Sequence, residues 1–363
     1  MISSISGVLI HRGTEVLSTQ LHARQNPLIQ EWIGIALVFL TVLGFSLALL
    51  WVDYTCNHVI ATLAAVEDSN PTSYIRLDSR NRNSADPRHP NDDPELSTAS
   101  TAQPITSNLR SAIKYLHVRG GLGLFSTFRG FRMYLAWIWV DAGVALLIPA
   151  FLPIPVQTTL VSILTEFILT MFLATWQMAW IHVVIADKSP RCTYRRMLGY
   201  RHWPQIAPAA ALNNALICLT YSLNIAAVRF AAWTAIRLTA TKHESEPSEG
   251  EGRGEFAGFF TSILAAIFFL LLSLPARAVF ARVAASMLPE ELDPIVPFDR
   301  QFGGKVQPGS EPLSIKDAWS TFEWEARVRY VKIALQALAV EIALAVVGGL
   351  FLVGELNWLL FSH

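Results

Sequence analysis

Charge is scarce in this sequence. Asp, Glu, Lys and Arg make up 15% of its 363 residues, where soluble domains carry about 25%. The 28 basic residues balance the 28 acidic ones, so no basic excess marks a nucleic-acid-binding face. Cysteine is scarce as well. Cys56, Cys192 and Cys218 are scattered without a CxxC pair, which argues against a disulfide framework or a zinc site. Catalytic signatures are missing too: there is no HExxH, no Ser-His-Asp set and no paired acids in a soluble context. Gly250-Glu-Gly-Arg-Gly254 and Gly120-Gly-Leu-Gly123 lack the preceding strand and following Gly-Lys-Ser/Thr of a phosphate loop. Met1–Gln30 has no apolar core of the secretory type. Its Arg12 and Arg24 against one acid, Glu15, are only faintly like a mitochondrial presequence. No enzyme activity, cofactor or metal is expected.

What the sequence has is apolar length: 52% of it is hydrophobic and the mean hydropathy is +0.39. A bilayer core of about 30 Å needs roughly 20 such residues in a helix. Six runs qualify. The first is Trp32–Trp51, bracketed by tryptophans suited to two interfaces, with an amphipathic continuation over Asn57–Val66. The others are Met133–Leu152, Thr158–Ile185, Ile206–Ile236, Phe256–Leu274 (continuing past Pro275 to Leu288) and Val331–Val353. The expected fold is an all-α integral membrane bundle of six transmembrane helices. Between the first two runs, residues 67–108 are rich in Ser, Asn, Asp, Pro and Arg. Such a segment is expected to be disordered. Lys and Arg follow the odd spans: 22 fall in 62–132, 187–204 and 277–332, against five on the opposite side. Positive-inside reasoning puts both termini outside.

The spans also repeat. WQMAWIHVVIADKSP (176–190) aligns with PARAVFARVAASMLP (275–289) at an offset of 99, and WVDYTCNHVIA (51–61) aligns with WQMAWIHVVIA (176–186). FSTFRGFRMYLAWI (125–138) resembles WSTFEWEARVRYVKI (319–333). Three two-helix units follow: 32–152 (with the insert 67–108), 157–236 and 256–354, between an N-terminal tail 1–31 and a C-terminal tail 355–363.

In this organisation the chain resembles the mitochondrial carriers, as a divergent member. The resemblance implies three repeats, six helices and outward termini. The family's odd helices end in a proline kink, an acid, a base and a further base. Pro275, Arg277 and Arg282 resemble that pattern, with Pro275 at the kink, Arg282 at a later base, and Arg277 where the acid would stand; the resemblance implies that these three are kink and gate residues. Trp176 and Trp51 replace the proline in the other two repeats, and Asp53 keeps the acid in the first. GLFSTFRGF (123–131) is similar to the family's Gly-aromatic-Arg-Gly element. Residues 274–305 also resemble uncharacterised polytopic fungal membrane proteins, some of which bear the label "ubiquitin carrier". Ubiquitin conjugation needs a soluble α/β domain with a reactive cysteine, and none of the three cysteines has that setting.

Ionisable groups inside spans are costly and usually face the bundle interior or water. Asp141, Glu166, Arg229 and Glu341 stand out, together with the amide and hydroxyl stripe of Asn213, Tyr221 and Asn224 on the fourth run. One reading is a polar central cavity for a small solute, with Arg229 as the anchor and a carboxylate as its balance. The alternatives are interhelical hydrogen bonds of about 0.6 kcal/mol each or side chains snorkelling to the interface. His58 and His182 occupy near-equivalent repeat positions, where interface packing is a better expectation than metal. The helix at 111–119 either lies along an anionic surface or packs on the bundle.

The functional expectation is a carrier-like protein binding or moving a small solute, in the mitochondrial inner membrane. The alternatives are a non-transporting scaffold or adaptor, and an unrelated polytopic protein of the endoplasmic reticulum or vacuole. The lipid bilayer is its expected partner, with no nucleic acid and with any protein partner unknown.

Overall fold

The computed structural model describes residues 27–68, 104–120, 128–151, 159–187, 200–240, 263–264, 267–306 and 311–361. Among these, no strand forms, and a single antiparallel bridge joins Ala186 to Pro294. The helices are α1 (Pro27–Val52), α2 (Ala61–Val66), α3 (Leu109–Gly120), α4 (Phe131–Phe151), α5 (Thr159–Phe172), α6 (Ala174–Ile185), α7 (Trp203–Ala240), α8 (Leu274–Ser286), α9 (Ile315–Ser320) and α10 (Trp324–Phe361). Two wider π-helical segments, Asp53–Ile60 and Phe269–Ser273, precede α2 and α8.

Four helical runs among the described residues are long and apolar enough to cross a membrane: Trp32–Val66, Tyr200–Phe230, Phe269–Ser286 and Trp324–Leu359. The pair Ile163–Phe172 and Ala174–Ile185, bent by 60°, makes a fifth if read as one broken span. These are compatible with a multi-pass membrane protein. The expected second span falls on α4, which is not counted among these four or five. The expected third span is two helices rather than one, broken at Leu173. The sixth starts earlier than expected, because Trp324–Tyr330 already has helical geometry. The start of the fifth span at 256–262, the middle of the insert at 69–103, Cys192, the 242–255 loop and the 152–158 turn lie outside the described residues.

The chain divides into two compact units, Met1–Tyr54 with Gln336–His363, and Thr55–Leu335. In the first, the chain's two ends pair as antiparallel helices. Thr41 Oγ1 donates to Glu355 Oε1 at 2.6 Å, and the Phe45 and Phe351 rings lie 5.9 Å apart. Glycine permits the close approach: a Cβ on Gly348 would sit 2.9 Å from the Phe45 ring, and one on Gly34 would fall 2.1 Å from Leu359 Cδ1. The outer faces carry exposed Trp32, Phe39, Leu350 and Phe351, the surface a helix presents to hydrocarbon rather than water.

The second unit has a buried core of small residues on α2, α6 and α8, among them Ala64, Ala65, Ala179 and Ala284. Small side chains let helix backbones approach closely where lipid supplies no hydrophobic drive. Pro275 sits in the first turn of α8, directly after the π segment. The widened turn accommodates the hydrogen bond that proline cannot make. The loop after α8 crosses the ends of the odd helical segments. Asp187 N–H donates to Asp293 O at 2.6 Å, Ile295 N–H to Ile185 O at 2.8 Å, and Asp68 N–H to Pro297 O at 3.0 Å. Ile295 and Val296 are fully buried there.

Both described ends of the 67–108 insert are ordered, which the composition did not foretell. Glu67 is fully buried. It accepts hydrogen bonds from Ile105 N–H (2.6 Å), Thr106 N–H (3.0 Å) and the Thr106 hydroxyl. Helix α3 packs by Ala112 and Leu116 and leaves Arg110, Lys114 and His117 outward, so it rests on the bundle.

Candidate functional site

A cavity of about 180 Å³ lies within the second unit. Seven helical segments of that unit contribute to its wall. Asn57, His58 and Thr62 come from the Asp53–Val66 stretch, Tyr134 and Trp137 from α4, and Glu166 and Thr170 from α5. Trp176, Gln177 and Trp180 come from α6, Asn213, Asn214 and Cys218 from α7, Arg277 and Phe280 from α8, and Tyr330 from the start of α10. The amphipathic continuation expected over 57–66 finds its explanation here. Val59, Ile60, Leu63 and Val66 are buried, while Asn57, His58 and Thr62 stay half-open toward the cavity.

Three amides organise one side. Asn214 Oδ1 accepts from Asn213 Nδ2 at 3.2 Å and from Gln177 Nε2 at 3.5 Å. Asn213 Oδ1 and Gln177 Oε1 are then left buried without a donor. Asn213 is only 6% exposed, so that unpaired oxygen costs about 1–3 kcal/mol unless something fills the cavity. On α4, the Trp137 indole N–H is buried without an acceptor. The Arg277 guanidinium lies 5.7 Å from the centroid of the Phe269 ring and has no carboxylate in ion-pair range among the described residues. Glu166 meets Asp141 carboxyl to carboxyl, across α5 and α4. His58 Nε2 faces the Tyr134 hydroxyl at 3.3 Å, with Trp180 edge-on to its ring.

The residues expected from sequence separate into groups. Glu166 and Asn213 line this cavity, and Asp141 stands behind Glu166. Arg229, expected as the anchoring cation, is exposed on α7, and Tyr221 is 58% exposed. Asn224 is half-buried with an unpaired Oδ1 but does not touch the cavity. Glu341 belongs to the other unit. The cavity's cation is instead Arg277, which the sequence reading placed at a gate. The amide cluster is assembled from two helices, Gln177 from α6 and Asn213 and Asn214 from α7, and was legible only in part. That Arg277 turns inward depends on the register set by the π segment before α8, and apolar periodicity does not reveal that register.

Arg282, also expected at a gate, is built into the framework. It is 6% exposed. Its Nε donates to Ala318 O (3.0 Å), one terminal nitrogen to Ala65 O (3.1 Å), and the other to Thr321 O (3.1 Å) and Thr321 Oγ1 (3.0 Å). The Phe302 and Phe322 rings flank it at 4.9 and 5.1 Å. Two other bases act on helix ends. Arg129 donates to Ala186 O at the end of α6. Arg329 donates to Glu67 O after α2 at 2.8 Å, with the Glu67 carboxylate 3.9 Å from its Nε. Basic side chains there satisfy carbonyls that a helix leaves unpaired at its C-terminus. His182, 1% exposed, donates from Nε2 to Ala284 O at 2.7 Å, a packing role. Among the described residues no cluster of His, Cys, Asp and Glu could hold a metal ion.

No family model, no curated protein and no solved structure matches the chain.

Proposed function

We propose that this protein binds a small solute in the Arg277–Glu166 cavity and carries it across a membrane, as a divergent carrier-like protein. The observation that carries the reading is the convergence of seven helical segments on one cavity lined by both a cation, Arg277, and a carboxyl, Glu166. Ionisable side chains are kept in membrane helices where they bind or conduct.

Two features support a repeated, cyclic build. Arg129, just before α4 in the first repeat, reaches the end of α6 in the second. In the third repeat, Arg329 on the first turns of α10 reaches the segment after α2 in the first. The odd helices of the second and third repeats also break at matching places. Offset by 99 residues, the break at Leu173 falls on Leu272, within the π segment Phe269–Ser273.

One observation favours a second reading, a membrane protein that holds a solute without moving it. The base at the family's gate position, Arg282, makes its hydrogen bonds to three backbone carbonyls and the Thr321 hydroxyl rather than to a carboxylate. The experiment is uptake of a panel of radiolabelled small solutes into proteoliposomes. Wild type is compared with Arg277→Gln and with Arg229→Gln. Transport lost in Arg277→Gln and kept in Arg229→Gln is the expected result. Binding without uptake would leave the second reading. Absence of both for every solute would overturn the cavity reading. In cells, the proposal also expects a mitochondrial inner-membrane location. A C-terminal tag there becomes protease-sensitive only after the outer membrane is ruptured.

A further inference from the structure

The unpaired groups of the cavity define the chemistry of what fills it. On the donor side stand the Arg277 guanidinium and the buried Trp137 indole N–H. On the acceptor side stand two amide oxygens, Asn213 Oδ1 and Gln177 Oε1, both buried and both turned away from their amide neighbour Asn214. The Glu166 carboxyl adds acceptor capacity on the same wall. A purely anionic solute would satisfy Arg277 and leave the amide oxygens orphaned. A purely cationic one would do the reverse and place its charge near an unneutralised guanidinium. An apolar solute would satisfy neither set, at the full cost of burying unpaired polar groups.

From these groups we infer that the cavity takes a small zwitterion, a molecule carrying one carboxylate and one ammonium, of the α-amino-acid type. The carboxylate pairs with Arg277, whose fork of N–H groups suits a planar carboxylate. The ammonium has three N–H groups for the amide oxygens and Glu166. Size agrees. At about 30 Å³ for each water-sized group, the 180 Å³ cavity holds a solute of about six heavy atoms, well short of the 300–1,000 Å³ of larger ligand sites. The aromatic rings of Trp176, Trp180 and Phe280 leave room for a short apolar side chain. This inference rests on the proposed solute site and names its substrate class.

The test is thermal stabilisation of the full chain in detergent, titrated with L-alanine and with the two molecules left when one of its charged groups is removed, propionate and ethylamine. L-Alanine is expected to bind tightest. Propionate and ethylamine each lack one pole and should bind about tenfold more weakly or worse. Arg277→Gln should abolish the preference for L-alanine over ethylamine, and Asn213→Leu the preference over propionate. Arg277→Lys keeps the charge and should retain part of the first preference, which guards against a loss that merely reflects misfolding. Propionate binding as tightly as L-alanine would overturn the zwitterion while leaving a solute site. Failure of L-alanine to bind would overturn it too, and the proteoliposome panel then judges the cavity independently.

Discussion

Replacing Arg282 separates a gate from a structural tie. Its guanidinium makes four hydrogen bonds, three of them to carbonyls of Ala65, Ala318 and Thr321, and it is sandwiched by two aromatic rings. Hydrogen bonds to a charged group are worth about 1.5–3 kcal/mol each, but the cost of burying the guanidinium offsets much of that sum. Arg282→Met leaves three carbonyls without this donor, at about 1–3 kcal/mol for each that stays buried and unpaired, so a loss of about 3–5 kcal/mol in all is expected. At about 2–4 °C per kcal/mol for a fold of comparable size, the melting temperature should fall on the order of 10 °C. Arg282→Lys should lose most of the same amount, because one ammonium cannot reach three separated carbonyls in the guanidinium's plane. The assay is intrinsic-fluorescence melting in detergent, with size-exclusion chromatography to check monodispersity. If Arg282→Lys melts with wild type, the residue acts as a point charge and the structural account of it is wrong.

Other substitutions test other ties. Glu67→Ala removes the acceptor for Ile105 and Thr106 and leaves Arg329 buried without its carboxylate. A loss of about 3–5 kcal/mol and faster proteolysis near residue 104 are expected, and unchanged cleavage would count against it. Gly348→Leu should cost about 1–3 kcal/mol by overpacking, because its Cβ would meet the Phe45 ring at 2.9 Å. Gly349→Leu, where nothing lies within 4 Å, should melt like wild type; equal effects would refute the pairing. His182→Leu orphans the Ala284 carbonyl and should cost about 1–3 kcal/mol, measured in the same melting assay.

Hydropathy alone located four long apolar helices and the broken pair α5–α6, because lipid-facing segments need continuous apolar length and little else, but the expected second span on α4 is not among them. Positions along those helices were harder to read. Asn213 and Glu166 were legible as polar groups in apolar runs, and both face the cavity. Arg229 belonged to the same pattern, yet it lies exposed, since the pattern alone does not say which side of a long helix is covered. Arg277 was missed as a cavity residue. The π segment before it rotates the helix face by part of a turn relative to an ideal α-helix, so the 3.6-residue periodicity used for the reading does not hold across Phe269–Ser273. Glu67 was missed because its composition belongs with the polar insert that follows it. Only its hydrogen bonds to residues nearly forty positions away reveal its burial.

The loop that crosses the odd helical ends also bears on how the chain is made. Asp293 and Ile295 pair with Asp187 and Ile185, and Pro297 with Asp68, so residues near 295 complete ends that left the ribosome much earlier. Until that stretch is synthesised, the carbonyls and N–H groups at those ends lack their final partners, and the incomplete chain exposes them to misfolding and aggregation. A chain ended before residue 293 would therefore keep its earlier helices but leave their ends unlatched.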